Sequence, residues 1–323
     1  MGKRRIRNLL KLGYRDIIGF DTRADRRNEA SKNYGIKTIS NIGAMLVLKP
    51  DVLIISTPPD LHLKYANIAI KNNINFFTEL NLLSKDVKKI VENMYGRSII
   101  GLPSSTMRFH PMVIKLKELL DKKVLGKIYT VYHHTGQFLP NWHPWENYRE
   151  FFVSKRETGG ARELVAVELV WLTQLFPNIK SVYGNVTKVS KLEVDIDDVY
   201  QIFLELKNNI FCTLMIDVVS IPAFRETKII GEKGTILCNF KNGIIRINKG
   251  KEWKNMKIKM GKIAKEYSSA PPETMYEKEL QSFLNTITKK TKYNFSLRDE
   301  FNMLKILDKI EISNKNGKKF ILN

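Results

Sequence analysis

Cysteine is almost absent from this sequence. Among 323 residues only Cys212 and Cys238 occur, both inside apolar, strand-like runs, so neither a disulfide framework nor a cysteine-based zinc site can be built, and inert buried thiols are expected. Long apolar runs are missing as well. No stretch reaches the ~20 uninterrupted apolar residues that span a bilayer, and the basic opening Lys3-Arg4-Arg5 leads into no secretory core. A cytoplasmic protein with no membrane partner is the expectation. There is no Gly-x-Ser-x-Gly, no phosphate-loop lysine and no zinc-hydrolase spacing, which sets aside the common hydrolase and nucleotide-hydrolysing classes. Internal repeats and low-complexity segments are absent too.

Acidic residues are in short supply: 33 against 54 basic ones, for a formal charge of +21. Such a balance attracts anions and raises nucleic acid as a partner. The basic residues are spread along the chain, however, with only short clusters such as Lys315 to Lys319. That pattern favours solubility, and nucleic acid is disfavoured.

What is present has a clear order. The first hundred residues alternate helix-period segments with short apolar strands, the pattern of βαβ units and a parallel sheet. Arg5 to Leu12 reads as a helix, Asp16 to Asp21 as a strand, Arg23 to Tyr34 as a helix closed by Gly35, and Ile36 to Ile39 as a strand. Asp51 to Ser56 (DVLIIS) fits a strand buried on both faces, stopped by Thr57-Pro58-Pro59. A helix from Leu61 to Asn72, a strand from Asn75 to Glu79, a helix from Ser84 to Met94 and a strand from Ser98 to Leu102 follow.

Beyond Pro103 the rhythm changes. Helices are expected at Pro111 to Leu120 and Gly160 to Leu175. A strand covers Lys127 to His134, and a run of alternating strands extends from Ser181 to Ile247, with helices returning at Thr274 to Thr288 and Leu297 to Ser313. The expected class is α/β: an N-terminal Rossmann-type parallel sheet over residues 1–105, then a C-terminal α+β domain over 106–323 with a large, mostly antiparallel sheet.

A dinucleotide-binding unit needs a glycine-rich turn opening a helix and, about twenty residues on, an acid that bonds the ribose hydroxyls. Asp21 stands where that acid belongs, although a strand-terminal Asp is equally common for structural reasons. The strand and the first two glycines of the turn are missing before Gly2.

The opening MGKRRIRNLLKLGYRDIIGFD resembles the Gfo/Idh/MocA oxidoreductases from the last glycine of their loop onward. Met1 then reads as an internal methionine, with roughly ten further residues expected before it to supply strand and loop. The alternative, a true truncation, exposes a sheet edge and removes the cradling amides. DVLIISTPPDLHLKYANIAI resembles the family's third-strand signature, STMRFHPMVIKLKELLDKKVLGKIYTV the opening of its second domain, and GQFLPNWHPWENYREFFVSKRETGG the substrate loop of members acting on sugars or nucleotide sugars.

The resemblance implies an NAD(P)-dependent oxidoreductase acting on a sugar or nucleotide sugar. It also implies a homo-oligomer, dimer or tetramer, for which the exposed face of the second-domain sheet is suited. For the cofactor it points to Gly2, Asp21, Thr22, Arg23, Ser56, Thr57, Pro58, His62 and Glu79. Asp21 favours NAD, since a carboxylate repels a 2′-phosphate, while Arg23 leaves NADP open.

Two departures matter more than the matches. The family's Glu-Lys-Pro motif, whose lysine assists proton transfer, reads Glu79-Leu80-Asn81, and its Asp and His on the helix after the double glycine fall at Leu164 and Val167. Oxidising an alcohol still requires a base. The same helix offers Arg162, Glu163 and Glu168; the two acids lie about 140° apart around it, so only one can face a given point. His143, with Trp142, Trp145 and Tyr148, forms a loop suited to stacking a sugar or base ring. Arg108 and His110 flank an aromatic at the expected domain junction. The candidates are therefore Glu163, His143 and Glu168 for catalysis, and Arg108, His110, Trp142, Tyr148 and Arg162 for substrate; no metal is expected. Without a substitute base, the alternative is an inactive family member acting as a binding or scaffold protein.

Overall fold

The computed structural model describes residues 1–143, 146–262 and 272–322. The chain divides into two compact units, one of Met1–Asn81, Lys85–Ser104 and Tyr276–Glu300, the other of Leu82–Ser84, Ser105–Met275 and Phe301–Asn323. The chain leaves the first unit at Asn81, returns at Lys85 and leaves it again at Ser104. Residues 276–300, expected in the second domain, instead pack into the first.

The first unit alternates short strands and helices: α1 (Gly2–Lys11), β1 (Ile18–Phe20), α2 (Ala24–Tyr34), β2 (Lys37–Ile39), α3 (Ile42–Val47), β3 (Val52–Ile55), α4 (His62–Lys71), β4 (Asn75–Thr78), α5 (Ser84–Asn93, all but its first residue) and β5 (Gly101–Pro103). β1 pairs with β2, and β3, β4 and β5 pair in that order, every pairing parallel. The parallel strands thus fall into two separate sheets of two and three strands.

Local chemistry explains the breaks. Gly35 ends α2 at φ 65°, a left-handed conformation that a side chain resists. Asn41 caps α3 by accepting from the Gly43 N–H, and Pro59 opens the short turn that stops β3. The apolar β3 and β4 pack beneath α4, with Phe76 and Phe77 wholly buried. A Cβ on Gly101 would lie 2.3 Å from the Phe76 ring, so only glycine lets β5 close against β4.

The second unit is built on one nine-stranded sheet. Its strands are β6 (Ile128–Gly136), β7 (Ile179–Thr187), β8 (Val199–Leu206), β9 (Ile210–Asp217), β10 (Phe224–Gly231), β11 (Gly234–Asn239), β12 (Ile244–Asn248), β13 (Trp253–Lys257) and β14 (Phe320–Ile321). They run in the order β13-β12-β11-β10-β6-β9-β8-β7-β14, antiparallel throughout except for the β6–β9 pair. The helix α6 (Pro111–Asp121) precedes the sheet. α7 (Gly160–Leu175) packs on β8 and β9, and its Leu164, Val165, Leu169, Val170 and Trp171 are buried. Alternation along β8 places Tyr200, Ile202 and Leu204 inward and leaves Phe203 half exposed outward. The double glycine before α7 is steric: a Cβ on Gly159 would sit 2.0 Å from the Val153 carbonyl oxygen, and Gly160 has φ 60°.

Two closing helices, α8 (Glu273–Ile287) and α9 (Leu297–Asn316), each contribute to both units. α3, β13 and β14 had no counterpart in the sequence reading. β14 is two residues long, and β13 is exposed at four of its five positions, so neither carries an apolar signature.

Candidate active site

In the first unit the candidate nucleotide residues gather at the carboxyl ends of the parallel strands, where open α/β sheets place their ligands. Asp21 follows β1. Its Oδ1 accepts from the Arg23 N–H at 2.8 Å, and its Oδ2 lies 3.9 Å from Arg26. Thr22 is exposed. Arg23 is exposed too, and its guanidinium is held by Asp25. Gly2 opens α1, which has no side-chain cap and no acid in its first turn, leaving first-turn amides and a positive helix end for an anion. The described residues supply no glycine-rich turn ahead of it. Past β3, Pro58 is exposed and Thr57 Oγ1 is buried without a hydrogen-bond partner. A buried orphan hydroxyl costs free energy unless something fills its valence. These features fit a dinucleotide at its ribose and nicotinamide ends.

Behind that turn lies a polar cluster that the sequence did not announce. Arg5, on α1 and 2% exposed, clamps Glu79 with two bonds of 2.7 and 2.8 Å and donates to Glu279 at 2.8 Å. Ser56 Oγ donates to Glu79 at 3.1 Å. Burial pushes the Glu79 carboxyl up, but Arg5 overcomes it and holds it below the usual range. Ser56 and Glu79, expected at the cofactor, are therefore tied to Arg5. His62 is 1% exposed, with Nδ1 2.9 Å from Asn81 Oδ1 and Nε2 2.9 Å from the Thr57 carbonyl. The expectation that it lines the cofactor surface is corrected: it braces the turn from behind, because burial and two internal contacts leave no edge free.

In the second unit α7 separates its two acids as its geometry requires. Glu168 is fully buried. It accepts from Trp171 Nε1 at 2.6 Å and Arg225 Nε at 2.9 Å, with His133 Nε2 at 3.0 Å. Burial opposes its charge, yet Arg225 and His133 prevail and hold its pKa at about 2. The expectation of a catalytic Glu168 is corrected, since a permanently ionised and enclosed carboxylate is a brace. Arg162 is also enclosed, 6% exposed, and bonds Glu311, Asp308 and the carbonyls of Leu82 and Glu157. It pins the segment after Leu80 and has no face left for substrate.

Glu163 is different. It is part-buried, its Oε2 is closed off without a hydrogen bond, and burial alone pushes its pKa up to about 8. Such a carboxyl holds a proton near neutral pH and can give or take it, the property a general acid–base group needs. Leu164 on one side is 8% exposed and apolar.

His110 caps α6: its Nδ1 accepts from the Met112 N–H, and burial lowers its pKa to about 3. It is held as a neutral cap, which corrects its assignment to substrate. Arg108 Nε donates to the Val170 carbonyl. In the loop before α7, His143 stacks on Phe151 with centroids 5.4 Å apart and approaches Glu146 at 3.6 Å. Tyr148 lies under Arg149, and Trp142 Nε1 is buried without a partner. Trp145 lies outside the described residues. Among the described residues no three His, Cys, Asp or Glu side chains converge to hold a metal ion, and no helix is long and apolar enough to cross a membrane.

Residues 113–237 match the family model of the GFO/IDH/MocA C-terminal domain, the stretch that carries α7, Glu163 and the strands from β6 to β10. This is a Gfo/Idh/MocA fold. Solved structures with this fold superpose on nearly the whole chain. An oxidoreductase from Agrobacterium radiobacter in complex with NAD+, L-tartaric acid and magnesium gives a TM-score of 0.84 at 13% identity, over 99% of this chain and 95% of that one. A levoglucosan dehydrogenase in complex with NADH gives 0.84 at 14%, over 100% and 96%. The WlbA dehydrogenase from Bordetella pertussis, in complex with NADH and UDP-GlcNAcA, gives 0.81 at 18%, over 100% and 95%. No curated protein matches the chain by sequence. At these identities the Gfo/Idh/MocA likeness concerns the fold, and the site must be argued from this chain's own residues.

Proposed function

We propose that the protein is an NAD(P)-dependent oxidoreductase acting on a CH–OH group of a sugar or nucleotide sugar, with NAD favoured. The observation that carries this reading is Glu163: a carboxyl with a buried, unpartnered oxygen and a pKa pushed up to about 8, on the helix where the family resemblance seats its acid–base residues. Structurally similar proteins were crystallised with NADH and levoglucosan or with NADH and UDP-GlcNAcA, which supports the substrate class. Asp21, with no carboxylate oxygen closer than 3.9 Å to Arg26, supports NAD.

A bound nicotinamide supplies the hydride acceptor. Asp21 would hold the ribose hydroxyls, the first-turn amides of α1 the phosphate, and Thr57 would offer its hydroxyl beside the Pro58 turn. Glu163 takes the hydroxyl proton during oxidation and returns it in the reverse direction. Trp142 and Tyr148 provide ring faces for the sugar or base, and His143 a polar edge. The half-exposed outer face of the large sheet, with Tyr132, Tyr183, Phe203 and Phe211 at 38–59% exposure, suits a homo-oligomer.

A second reading rests on Leu80, Leu164 and Val167, which are apolar where the resemblance places polar catalytic groups: a scaffold that keeps the fold without the reaction. Assay with NAD and a panel of sugars and UDP-sugars separates the two. Turnover that Glu163→Gln abolishes supports the enzyme; cofactor binding without any turnover supports the scaffold.

A further inference from the structure

Asn81, at the position of the proline in the resembled motif, sits at the centre of a buried chain of hydrogen bonds inside the first unit. It is 2% exposed, His62 1%, and both Thr78 and Glu300 0%. Its backbone N–H donates to Glu300 Oε1 at 2.9 Å, which a proline could not do. Its side-chain amide reaches Glu300 Oε2 at 2.8 Å, Thr78 Oγ1 at 3.0 Å and His62 Nδ1 at 2.9 Å.

The two ends of an amide are nearly isosteric, so donor–acceptor accounting decides which way it points. With Nδ2 toward Glu300, both His62 nitrogens face acceptors, Asn81 Oδ1 and the Thr57 carbonyl. Satisfying both requires an imidazolium beside a carboxylate, two charges taken out of water. With the amide turned over, a protonated Glu300 Oε2 donates to the Asn81 oxygen. Thr78 donates to the same oxygen, the Asn81 nitrogen donates to His62 Nδ1, and His62 Nε2–H donates to the Thr57 carbonyl. One amide N–H is left over, a smaller cost than two buried charges.

We infer that Glu300, Asn81 and His62 form a neutral positioning relay: Glu300 rests protonated, Asn81 points its oxygen at Glu300, and His62 is fixed as the Nε2–H tautomer that anchors the Thr57 carbonyl. The relay joins the start of α9 to the turns after β3 and β4. Burial supports it from both ends, raising the Glu300 pKa to about 8 and lowering that of His62. The charges acting on His62 are Glu79, already paired with Arg5, and Asp60 of its own turn. On Glu300 the influences are burial and the two Asn81 bonds. The relay follows from hydrogen-bond accounting within the first unit and does not depend on the activity proposed above.

The chain contains five histidines, so nitrogen-15 NMR of the histidine-labelled protein resolves them, with His134→Gln and His143→Gln assigning the half-exposed pair and His110→Gln and His133→Gln the two other buried rings, which leaves the signal of His62. The expected result is a neutral, Nε2-protonated His62 between pH 6 and 8 that is unchanged in Glu300→Gln, because glutamine reproduces the protonated carboxyl. A doubly protonated His62, or an Nδ1–H tautomer, overturns the inference. Thermal unfolding gives an independent reading. Glu300→Gln should melt close to the parent at pH 4.5 and increasingly above it from pH 6 to pH 9, because over that range the unfolded parent releases the Glu300 proton that the fold retains; a variant that melts well below the parent at both pH 4.5 and pH 9 overturns the inference as well.

Discussion

Replacing Glu163 by glutamine should remove a pH-dependent cost from the folded state while removing the acid–base group. The ordinary carboxyl pKa of 4.5 is raised to about 8 at this position. At about 1.4 kcal/mol per tenfold change in proton affinity, ionising it inside the fold costs at most on the order of 5 kcal/mol. The sign follows from which state holds the proton. Between pH 4.5 and 8 the folded chain keeps a proton that the unfolded chain has released, so the contribution is fully present below pH 4.5 and is lost as pH rises through about 8. The substituted glutamine carries no charge and cannot show this loss. Urea unfolding of parent and Glu163→Gln at pH 5, 7 and 9 should give near-equal stabilities at pH 5 and a variant more stable by a few kcal/mol at pH 9. Taking the difference between the two proteins cancels every other titrating group, including Glu300. Equal pH dependence in both would refute the buried, proton-holding carboxyl, and with it the candidate base.

Other consequences are equally specific. Glu168→Gln leaves Arg225 facing a neutral amide in a buried site and should cost about 3–5 kcal/mol at pH 7 by chemical denaturation. The contribution of Glu168, whose pKa is held at about 2, should fade as pH falls from 4.5 toward that value. Phe76→Ala empties the wholly buried ring site beside Gly101 and should cost about 3–5 kcal/mol in the same assay. Asp21→Ala should weaken NADH binding about tenfold, as read by fluorescence, and narrow its margin over NADPH, since the ribose hydroxyls lose their acceptor and the repulsion of a 2′-phosphate disappears.

Much of the fold is legible in the sequence because its elements are periodic and punctuated. β3 is a continuous apolar run stopped by two prolines, and α7 begins at the double glycine as the sequence reading has it. Asp21 is recognisable from its distance to the preceding helix start. The buried braces were not legible, since nothing in the spacing of Arg5 and Glu279, or of Asn81 and Glu300, tells that they meet. Their partners lie more than 200 residues away in the chain, and only the return of residues 276–300 to the first unit brings them together. The same limit explains Glu163 and Glu168. The helix period separates their faces, but only packing reveals that one is paired with Arg225 of β10 beside His133 of β6 while the other is left with a buried, unpartnered oxygen. His110 illustrates the reverse case: a histidine ahead of Pro111 reads nearly as well as a helix cap as a substrate group, and its Nδ1 accepts from the Met112 N–H as a cap does.

The most direct test of the account is a fluorescence titration of NADH, then of NADPH, into the protein. The account predicts saturable binding that is tighter for NADH and weakened by Asp21→Ala. Absence of saturable binding by either nucleotide would contradict the oxidoreductase reading and leave the Gfo/Idh/MocA fold serving as a scaffold.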